Sequence, residues 1–516
     1  MNNRYYHKYL SMSNMSKANK FYITTPIYYV NAQPHLGHLY TTVAADVLAR
    51  YHRLLGDKTF YLTGTDEHGT KIEAQAQSAG LEPQQFVDGV VGEYKSAWQD
   101  FNIAFDGFIR TTDSQHIKAV QKALQYMYDQ GDIYPGEYEG LYCRGCEQYK
   151  SQKDLVDGKC PDHNQEPEVM SEKCYMFKLS KYAPQILKKI NSGEFKIRPV
   201  ERKNEVVSFY KEELRDVAFS RQNVKWGIPL PWDQTQTAYV WADAFLNYLT
   251  GIGWIGEAKK APDFWPAEIE LMAKDILRVH ATIWPAMLLS LGLPLPKEFF
   301  IHGFFLVAGQ KMSKTLGNVI TPEELKVRYG VDAARYLLMS ITPFGHDGDI
   351  NWEKLDAKFN AELANGIGNL AARVLAMVNK KLGGQVPAKS AVWSELLAKE
   401  KQYFEQFDDL ALESVGKIIS ELVGLMDGII ESQKLYQQPA DKAAPIFYQL
   451  LEAIRHLAWL ISPFMPETAD KIFDLLGLDL EKETKQSLKE ALAWGGLKPD
   501  TKIKTGESLF PRLNKK

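Results

Sequence analysis

The first part of the chain alternates between strand-like and helix-like hydrophobic patterns. Residues 21–29 form an apolar run that predicts a strand leading into a loop, and residues 59–63 form a second such run. Between them, residues 39–53 repeat their apolar positions at the three- and four-residue spacing of a helix with one buried face. This alternation predicts an α/β fold with a parallel sheet over residues 21–134.

The pattern changes twice after residue 134. Residues 135–225 are irregular and charged, the α/β pattern then returns as far as Ile301, and amphipathic helices dominate the remainder of the chain. We therefore predict an N-terminal extension (1–20), the first half of a sheet domain (21–134), an insertion (135–225), the second half (226–310), a connecting region (311–365) and a helical bundle (366–516).

The composition is that of an ordinary soluble protein. Of 516 residues, 45% are hydrophobic and 24% charged, and the formal net charge of −3 gives no general attraction to nucleic acid. No apolar run reaches the ~18 residues of a membrane-spanning helix. Residues 1–20 are polar and basic without an apolar core, which argues against a secretory signal. We expect a cytoplasmic protein with a flexible N-terminal extension, and an organellar transit peptide is the alternative.

Cysteine spacing within the insertion indicates a metal site. Cys143 and Cys146 form a Cys-x-x-Cys pair, and Cys160 and His163 form a Cys-x-x-His pair. Three thiolates and one imidazole complete a closed tetrahedral zinc site, which is typical of structural zinc. A single Cys-x-x-Cys pair could be redox-active, but the second pair favours one structural Zn²⁺. Cys174 lies outside this spacing and is expected to be a buried thiol.

Two distant phrases predict a split nucleotide site. A Pro-His-Leu-Gly-His phrase, which contains His35, Gly37 and His38, lies where the first strand leads into a helix. Unpaired amides and the helix dipole favour phosphate at such a helix start. A Lys-Met-Ser-Lys phrase, with Lys311 and Lys314, follows a later apolar strand and supplies two ammonium groups for a departing pyrophosphate. A histidine that only caps its helix is the alternative for the first phrase taken alone.

Together the two phrases resemble the HIGH and KMSKS signatures of class I aminoacyl-tRNA synthetases. Further phrases narrow the resemblance to the methionyl-tRNA synthetases of the bacterial type with a single zinc knuckle. These phrases are residues 26–31, 65–69, 239–244, 274–284, 369–373 and 509–512. The resemblance implies a Rossmann-type parallel sheet split by the zinc-knuckle insertion, a KMSKS and stem-contact region at 311–365, and an all-α anticodon-binding bundle.

The resemblance implies a two-step tRNA ligase reaction. Methionine attacks the α-phosphate of ATP, bound with Mg²⁺, to give methionyl-adenylate and pyrophosphate; tRNA(Met), both elongator and initiator, then accepts the methionyl group. The implied catalytic residues are His35, His38, Lys311 and Lys314. The implied ATP-binding residues are Gly37, Asp275, Ser313 and Lys314.

The resemblance also assigns an apolar pocket, which suits a soft thioether side chain. The implied methionine-binding residues are Ile27, Tyr29, Asp66, Trp241, Ala244, Tyr248, Ile276, His280 and Trp284, with Asp66 on the substrate ammonium. Each has a purely structural alternative. The aromatic residues could be core, Asp66 could cap the following helix, and His280 could be a satisfied core histidine.

The bundle is implied to read the anticodon CAU. Asn369 and Arg373 share one helix face, and Tyr436 stands where the family commonly has a tryptophan. Ala273 also departs from the family, which commonly has glycine before the Lys-Asp pair. Since little chain follows the last family-like phrase, a monomer is expected.

Other functions remain as alternatives. Synthetases for leucine, isoleucine or valine need a larger editing domain than this insertion, because an apolar pocket discriminates a methylene by only about 1–3 kcal/mol. A cysteinyl enzyme lacks this tyrosine and tryptophan set. The remaining alternatives are a related nucleotidyltransferase that makes a small-molecule adenylate and a non-catalytic zinc-bearing RNA-binding paralogue.

Overall fold

The described part of the computed structural model comprises residues 19–31, 33–143, 148–150, 155–160, 164–211, 214–222, 224–307, 309–311 and 319–513. Within these ranges, no helix is both long and apolar enough to cross a membrane. The predictions for residues 1–18 and for Cys146, His163, Ser313 and Lys314 lie outside the described residues, as do those for the side chains of Cys143 and Lys311.

Strands and helices alternate at the start of the fold, as the hydrophobic pattern predicts. In chain order they are β1 (Lys20–Thr24), β2 (Tyr28–Tyr29), α1 (Leu36–Leu54), β3 (Lys58–Asp66), α2 (Thr70–Ser78), α3 (Pro83–Asp100), β4 (Gly107–Arg110) and α4 (Ser114–Asp129).

The insertion contains a long antiparallel ribbon. Its range holds β5 (Ile133–Cys143), β6 (Gln148–Lys150), β7 (Glu168–Phe177), α5 (Leu179–Ser192), β8 (Lys196–Arg198), α6 (Val200–Lys211), β9 (Val217–Ala218) and β10 (Ser220–Arg221). β5 and β7 pair along most of their length, with β6 beside β5 and β9 beside β7.

The α/β pattern then resumes. The elements are β11 (Pro229–Leu230), β12 (Asp233–Ala238), α7 (Val240–Ala244), α8 (Asn247–Thr250), β13 (Ile269–Ala273), a 3₁₀ turn (Lys274–Ile276), α9 (Leu277–Ser290), β14 (Glu298–His302), β15 (Phe305–Val307) and β16 (Gln310–Lys311).

Helices make up most of the rest. They are α10 (Pro322–Tyr329), α11 (Val331–Ser340), α12 (Trp352–Lys358), a π-helical segment (Phe359–Gly368), α13 (Asn369–Leu382), α14 (Ser394–Asp408), α15 (Leu412–Ser432), α16 (Ala440–Ile461), α17 (Pro466–Leu475), α18 (Leu480–Glu483) and α19 (Leu488–Ala491), with the short strand β17 (Gly348–Asp349) after α11. The helical run is interrupted where Gly366 leaves helical geometry, within the π-helical segment that directly precedes α13.

The main sheet has the order β2-β3-β1-β13-β14-β8, with β4 also on β3, and all its pairings are parallel. Alternate residues of β1 face two cores: Phe21 and Ile23 pack in the core that contains α1 and the bundle, and Tyr22 packs in the core that contains α9. Parallel strands covered on both faces collect ligands at their carboxyl ends. The architecture is the α/β sheet and helical bundle predicted from the sequence.

β8 is an edge strand of this main sheet. It pairs with β14 through Ile197 and Phe299, although the sequence analysis places its residues in the insertion, within 135–225. A three-residue strand carries too few positions for its periodicity to stand out. The sheet therefore resumes earlier than the hydrophobic pattern indicates.

A buried arginine connects the sheet domain to the bundle. Arg335 of α11 and Asp46 of α1 are both fully buried, and their side chains lie 2.6 Å apart. Arg335 also donates to the carbonyl oxygens of Pro463 and Phe464, between α16 and α17. Because an unpaired buried charge is costly, these contacts hold the bundle against the helix that begins at the histidine phrase.

Candidate active site

The histidine phrase forms the first turn of α1. His35 is the N-cap residue, and its Nδ1 accepts the backbone N–H groups of Gly37 at 3.0 Å and His38 at 3.4 Å. His38 Nδ1 accepts the His35 N–H at 3.4 Å and lies 3.2 Å from the Tyr94 hydroxyl. A nitrogen that accepts an N–H is unprotonated, so each neutral ring carries its proton on Nε2 and can donate from there.

This capping corrects one part of the sequence interpretation. The sequence suggests that the first amides of α1 are unpaired and open to phosphate, but the His35 ring accepts those of Gly37 and His38. A Cβ on Gly37 would lie 2.9 Å from that ring, so the glycine allows the cap to form. The turn therefore presents two stacked imidazole rings, whose centroids are 3.6 Å apart, in place of the expected unpaired amides.

His38 is held in its neutral form. Burial, and then the neighbouring His35, lower the pKa of His38 well below its usual value. The Tyr28 ring packs 4.7 Å from it. A fixed neutral N–H donor can stabilise charge that develops on a phosphate without repelling a metal ion bound to it.

The lysine phrase begins at the end of a short hairpin. The backbone of Lys311 ends β16 and pairs with Leu306 of β15. β15 also pairs with β17, so the hairpin is anchored beyond the carboxyl end of β14.

Asp66 ends β3 with an unpaired carboxylate oxygen. The residue is buried, and its Oδ1 has no hydrogen-bond partner among the described residues. Burial, and then repulsion by Asp243, raise the pKa of Asp66 well above its usual value. The alternative role as a helix cap is not observed, because α2 has Gly69 at its N-cap and no capping side chain. An ammonium ligand would supply both the missing charge and the missing hydrogen bond.

A buried histidine–aspartate network lies beside Asp66, and the sequence analysis did not identify it. Asp243 accepts from His68 Nδ1 at 2.6 Å and from His116 Nε2 at 2.7 Å. Burial raises the Asp243 pKa, but the two histidines outweigh it and the pKa lies below its usual value. Asp243 thus stays charged near Asp66, which makes an ionised Asp66 costly until a cation binds.

Tyr248 and His280 form a polar contact within the predicted methionine pocket. His280 Nδ1 donates to the Ile276 carbonyl at 2.9 Å, so the Tyr248 hydroxyl, also at 2.9 Å, donates to Nε2. Burial lowers the pKa of His280 to about 4. Both ring nitrogens are satisfied and the ring is neutral, so an apolar ligand meets a fixed, uncharged surface.

The predicted aromatic residues cluster around His280. Trp241 lies 5.7 Å from it between ring centroids, and Trp284 lies 5.7 Å from Tyr248. Phe245, which the sequence analysis missed, lies 4.9 Å from His280. Phe245 directly follows the predicted Ala244 in the sequence, and this position could have identified it as a pocket residue.

The remaining predicted pocket residues lie on both faces of the main sheet, near the carboxyl ends of its strands. Ile27 and Ile276 are partly buried against the core that contains Trp284, and Ala244 is buried in α7. Tyr29 packs with the other core but pairs in register with Asp66, so its ring lies beside the unpaired carboxylate. The structure therefore brings the predicted set together around the ends of β2, β3 and β13.

Asp275, the predicted ribose contact, is exposed in the 3₁₀ turn that follows β13. Its neighbour Lys274 pairs with Asp347 at 2.6 Å, and Asp347 accepts the Phe304 N–H. This bridge fixes the turn against the segment after β14. Asp275 is thus presented at the same sheet edge as the histidine phrase.

His302, which the sequence analysis did not single out, connects β14 with α1. Its Nε2 lies 2.7 Å from the Thr41 hydroxyl, and its Nδ1 donates to the Gly303 carbonyl. Burial lowers the pKa of His302 to about 4. Thr41 lies one turn beyond His38, so this contact orients the first turns of α1 against the sheet.

The predicted zinc ligands lie mostly outside the described residues, and the described residues contain no cluster of three or more potential ligands. Cys160 is described and fully buried. Its N–H donates to Gln165 and its carbonyl accepts from Asn164 at 2.7 Å, so it begins a tight turn. A buried cysteine in such a turn fits the donor set of a zinc knuckle. Cys174 is buried on β7 beside the Met176 sulfur, as expected of a packed thiol.

The predicted anticodon residues lie on the outer surface of the bundle. Asn369 is exposed at the start of α13, and Arg373 one turn later pairs with Asp427 and Glu431 of α15. Tyr436, shortly after α15, is 49% exposed. An aromatic ring this exposed is available for stacking on a base.

Comparisons with known proteins agree with this geometry. A family model described as class I tRNA synthetases (M) matches residues 21–166 and 151–375. A methionine–tRNA ligase of Caldanaerobacter subterraneus is 43% identical, with 96% of this chain and 79% of that protein covered. One of Streptomyces coelicolor is 42% identical, with 97% and 98% covered. The solved structure of Mycobacterium tuberculosis methionyl-tRNA synthetase in complex with methionyl-adenylate superposes with a TM-score of 0.87 at 35% identity, covering 96% of this chain and 100% of that one.

Proposed function

The chain belongs to the methionyl-tRNA synthetases, a class I aminoacyl-tRNA synthetase family, and from this premise we propose which of its residues carry out the reaction. As a methionine–tRNA ligase it joins methionine to tRNA at the expense of ATP. The observation that supports the site best is the buried Asp66 carboxyl group, whose Oδ1 has no hydrogen-bond partner among the described residues.

Methionine activation takes place at the carboxyl ends of β1, β3, β13 and β14. Asp66 holds the substrate ammonium, and the aromatic cluster around His280 holds the thioether. The substrate carboxylate, already a nucleophile, attacks the α-phosphate of ATP in line, and pyrophosphate leaves. No protein base is needed for this step.

Protein groups act on the phosphates during this step. The Nε2–H groups of His35 and His38 donate to phosphate oxygens whose charge rises in the transition state. Lys311 and Lys314 neutralise the departing pyrophosphate together with the Mg²⁺ that ATP brings, Ser313 lies between them in the same phrase, and Asp275 binds the ribose. The alternative role of His35 as a helix cap is compatible with this one, because capping fixes its Nε2 proton outward from the helix start.

Transfer to tRNA distinguishes this function from that of a small-molecule nucleotidyltransferase. The purified chain should attach radiolabelled methionine to tRNA(Met), and a transcript with a changed anticodon should be a far poorer acceptor. Formation of methionyl-adenylate without any charging of tRNA would favour the nucleotidyltransferase.

Arg373 reads an anticodon base from α13 together with Asn369 and Tyr436. Arg373→Ala should lower the charging efficiency of tRNA(Met) roughly 5- to 150-fold, the equivalent of about 1–3 kcal/mol for a base-edge contact, while methionine-dependent ATP–pyrophosphate exchange stays within twofold. Activation needs only the sheet domain, whereas charging also needs the anticodon held on the bundle.

Lys380→Ala is the matched control for Arg373, because it removes an exposed positive charge from the same helix. Its charging efficiency should stay close to that of the unmodified protein. An equal loss of exchange and charging in Arg373→Ala would contradict the assignment, since it would indicate a folding defect.

One structural zinc ion is bound by Cys143, Cys146, Cys160 and His163. When bound, the ion ties the ends of the insertion loops together and supplies no chemistry to the reaction, because four protein ligands leave no open position. The buried position of Cys160 in its tight turn supports this assignment.

Metal analysis tests the assignment directly. Protein purified without chelator should contain about one zinc per chain, Cys160→Ser should lose it, and Cys174→Ser, the matched control, should retain it. Loss of zinc in Cys174→Ser but not in Cys160→Ser would show that the ligands are wrongly chosen. Action as a monomer, use of both initiator and elongator tRNA, and a cytoplasmic location remain predictions.

A further inference from the structure

Glu270 is a buried carboxyl group to which the reaction described above gives no role. It lies on β13 with no exposed surface. Its Oε1 accepts the indole Nε1–H of Trp284 at 3.2 Å, whereas its Oε2 has no hydrogen-bond partner among the described residues. A buried carboxyl group in an apolar core is costly, and one that persists requires a specific explanation.

The neighbours of Glu270 belong to the amino-acid pocket. Trp284 lies one turn beyond His280 on α9, and its ring is 5.7 Å from that of Tyr248. The Tyr22 hydroxyl donates to the Tyr248 carbonyl at 2.7 Å. Glu270 is thus connected to the pocket through the Trp284 indole, which forms part of the pocket wall.

The second carboxyl oxygen has an unpaired polar neighbour. Thr24 is the register partner of Glu270 on the adjacent strand β1, and its hydroxyl is also buried without a partner among the described residues. Registered residues on neighbouring strands point to the same face of the sheet. The two polar groups without a partner therefore lie on the same face of the sheet, the face that α9 and Trp284 cover.

We propose that Glu270 is a positioning residue of the amino-acid pocket, whose carboxyl group holds the Trp284 indole in place and so sets the affinity for methionine. This inference rests on the proposed pocket. It assigns Glu270 no contact with the substrate, because Trp284 lies between them. The indole N–H needs an acceptor when buried, and Glu270 is the one that the structure provides.

The environment of Glu270 favours its neutral form. Burial raises the pKa of Glu270 to about 8, and the Trp284 hydrogen bond lowers it only partly. The titratable groups that face it are Tyr22 from β1 and Tyr248 from α8, with apolar Phe299 beside it on β14. Burial raises both tyrosine pKa values, so both hydroxyls are uncharged at neutral pH.

This environment predicts a specific pH dependence. Since the native state keeps the proton that the unfolded chain loses above its ordinary pKa, this group makes the fold less stable as pH rises towards 8. Above pH 8 a negative charge forms on Glu270, and this carboxylate still accepts the indole N–H, because the Trp284 hydrogen bond lowers the Glu270 pKa and so favours the charged form. In Glu270→Gln, which cannot ionise, the free energy of unfolding should lack the decrease that Glu270 causes between about pH 5 and pH 8.

Two substitutions of Glu270 separate the effect of its hydrogen bond from the effect of its charge. Glu270→Gln keeps a carbonyl acceptor for the indole and cannot ionise. Glu270→Leu keeps the volume and removes the acceptor. In methionine-dependent ATP–pyrophosphate exchange at pH 7, Glu270→Leu should raise the methionine KM roughly three- to tenfold with the ATP KM unchanged, and Glu270→Gln should behave like the unmodified protein.

A double-mutant cycle completes the test. In a Trp284→Phe background, Glu270→Leu should have little further effect, because the donor is already gone. Equal changes in the methionine and ATP KM values of Glu270→Leu, or a full Glu270→Leu effect without the indole, would each overturn the proposal. Absence of methionine-dependent exchange in the unmodified protein would instead refute the proposed function.

Discussion

Replacing His38 with alanine should lower the rate of methionyl-adenylate formation by about two to three orders of magnitude while methionine binding stays nearly unchanged. The His38 Nε2–H faces phosphate charge that grows only in the transition state, so its loss reduces kcat more than affinity. Single-turnover formation of the adenylate measures the rate, and equilibrium dialysis with labelled methionine measures binding. A variant whose only defect was a higher methionine KM would contradict the role.

Two further variants test the roles of the other phosphate-contacting residues in the same step. Lys314→Ala should show a loss of similar size, because the lysine acts on the departing pyrophosphate in the same step. His35→Ala should combine a catalytic defect with a loss of stability of about 1 kcal/mol, because His35 also caps α1. A His35 variant with lower stability and full activity would reduce its role to capping.

Asp66→Asn should raise the methionine KM by about two to three orders of magnitude, the equivalent of roughly 3–4 kcal/mol for a buried ion pair that loses its charge. The ATP KM should change little, because the carboxylate faces the ammonium group. Asp88→Asn, which changes a half-exposed carboxyl group on the neighbouring α3, is the control and should leave both KM values unchanged.

The pH dependence of methionine binding follows from the same carboxyl group. Burial and the nearby Asp243 raise the pKa of Asp66 in the free protein, and the substrate ammonium binds its ionised form. Methionine affinity should therefore weaken as pH falls through that raised pKa, and Asp66→Asn should lose this dependence. An Asp66→Asn variant with normal methionine KM would show that another group binds the ammonium.

The sequence was most informative where a function depends on neighbouring residues. The histidine phrase, the strand before it and α1 are contiguous, so their hydrophobic period and spacing predict these elements. The apolar runs that became β3 and β14 were recognisable for the same reason. The bundle helices were also predictable, because their apolar faces repeat over many turns.

The sequence was least informative where partners are distant along the chain. Asp243 bonds both His68 and His116, and Glu270 bonds Trp284, but no local pattern pairs them. Even within the histidine phrase, the capping by His35 depends on side-chain geometry that spacing does not specify. Such contacts depend on which strands become neighbours, and that is a property of the whole fold.

The most direct test of the account is ATP–pyrophosphate exchange with each of the twenty amino acids in turn. A neutral aromatic pocket with an unpaired carboxylate at its edge should support exchange with methionine at least a hundredfold above that with leucine, isoleucine, valine or cysteine. Exchange with leucine or cysteine, and none with methionine, would contradict the assignment of the pocket and of the function built on it.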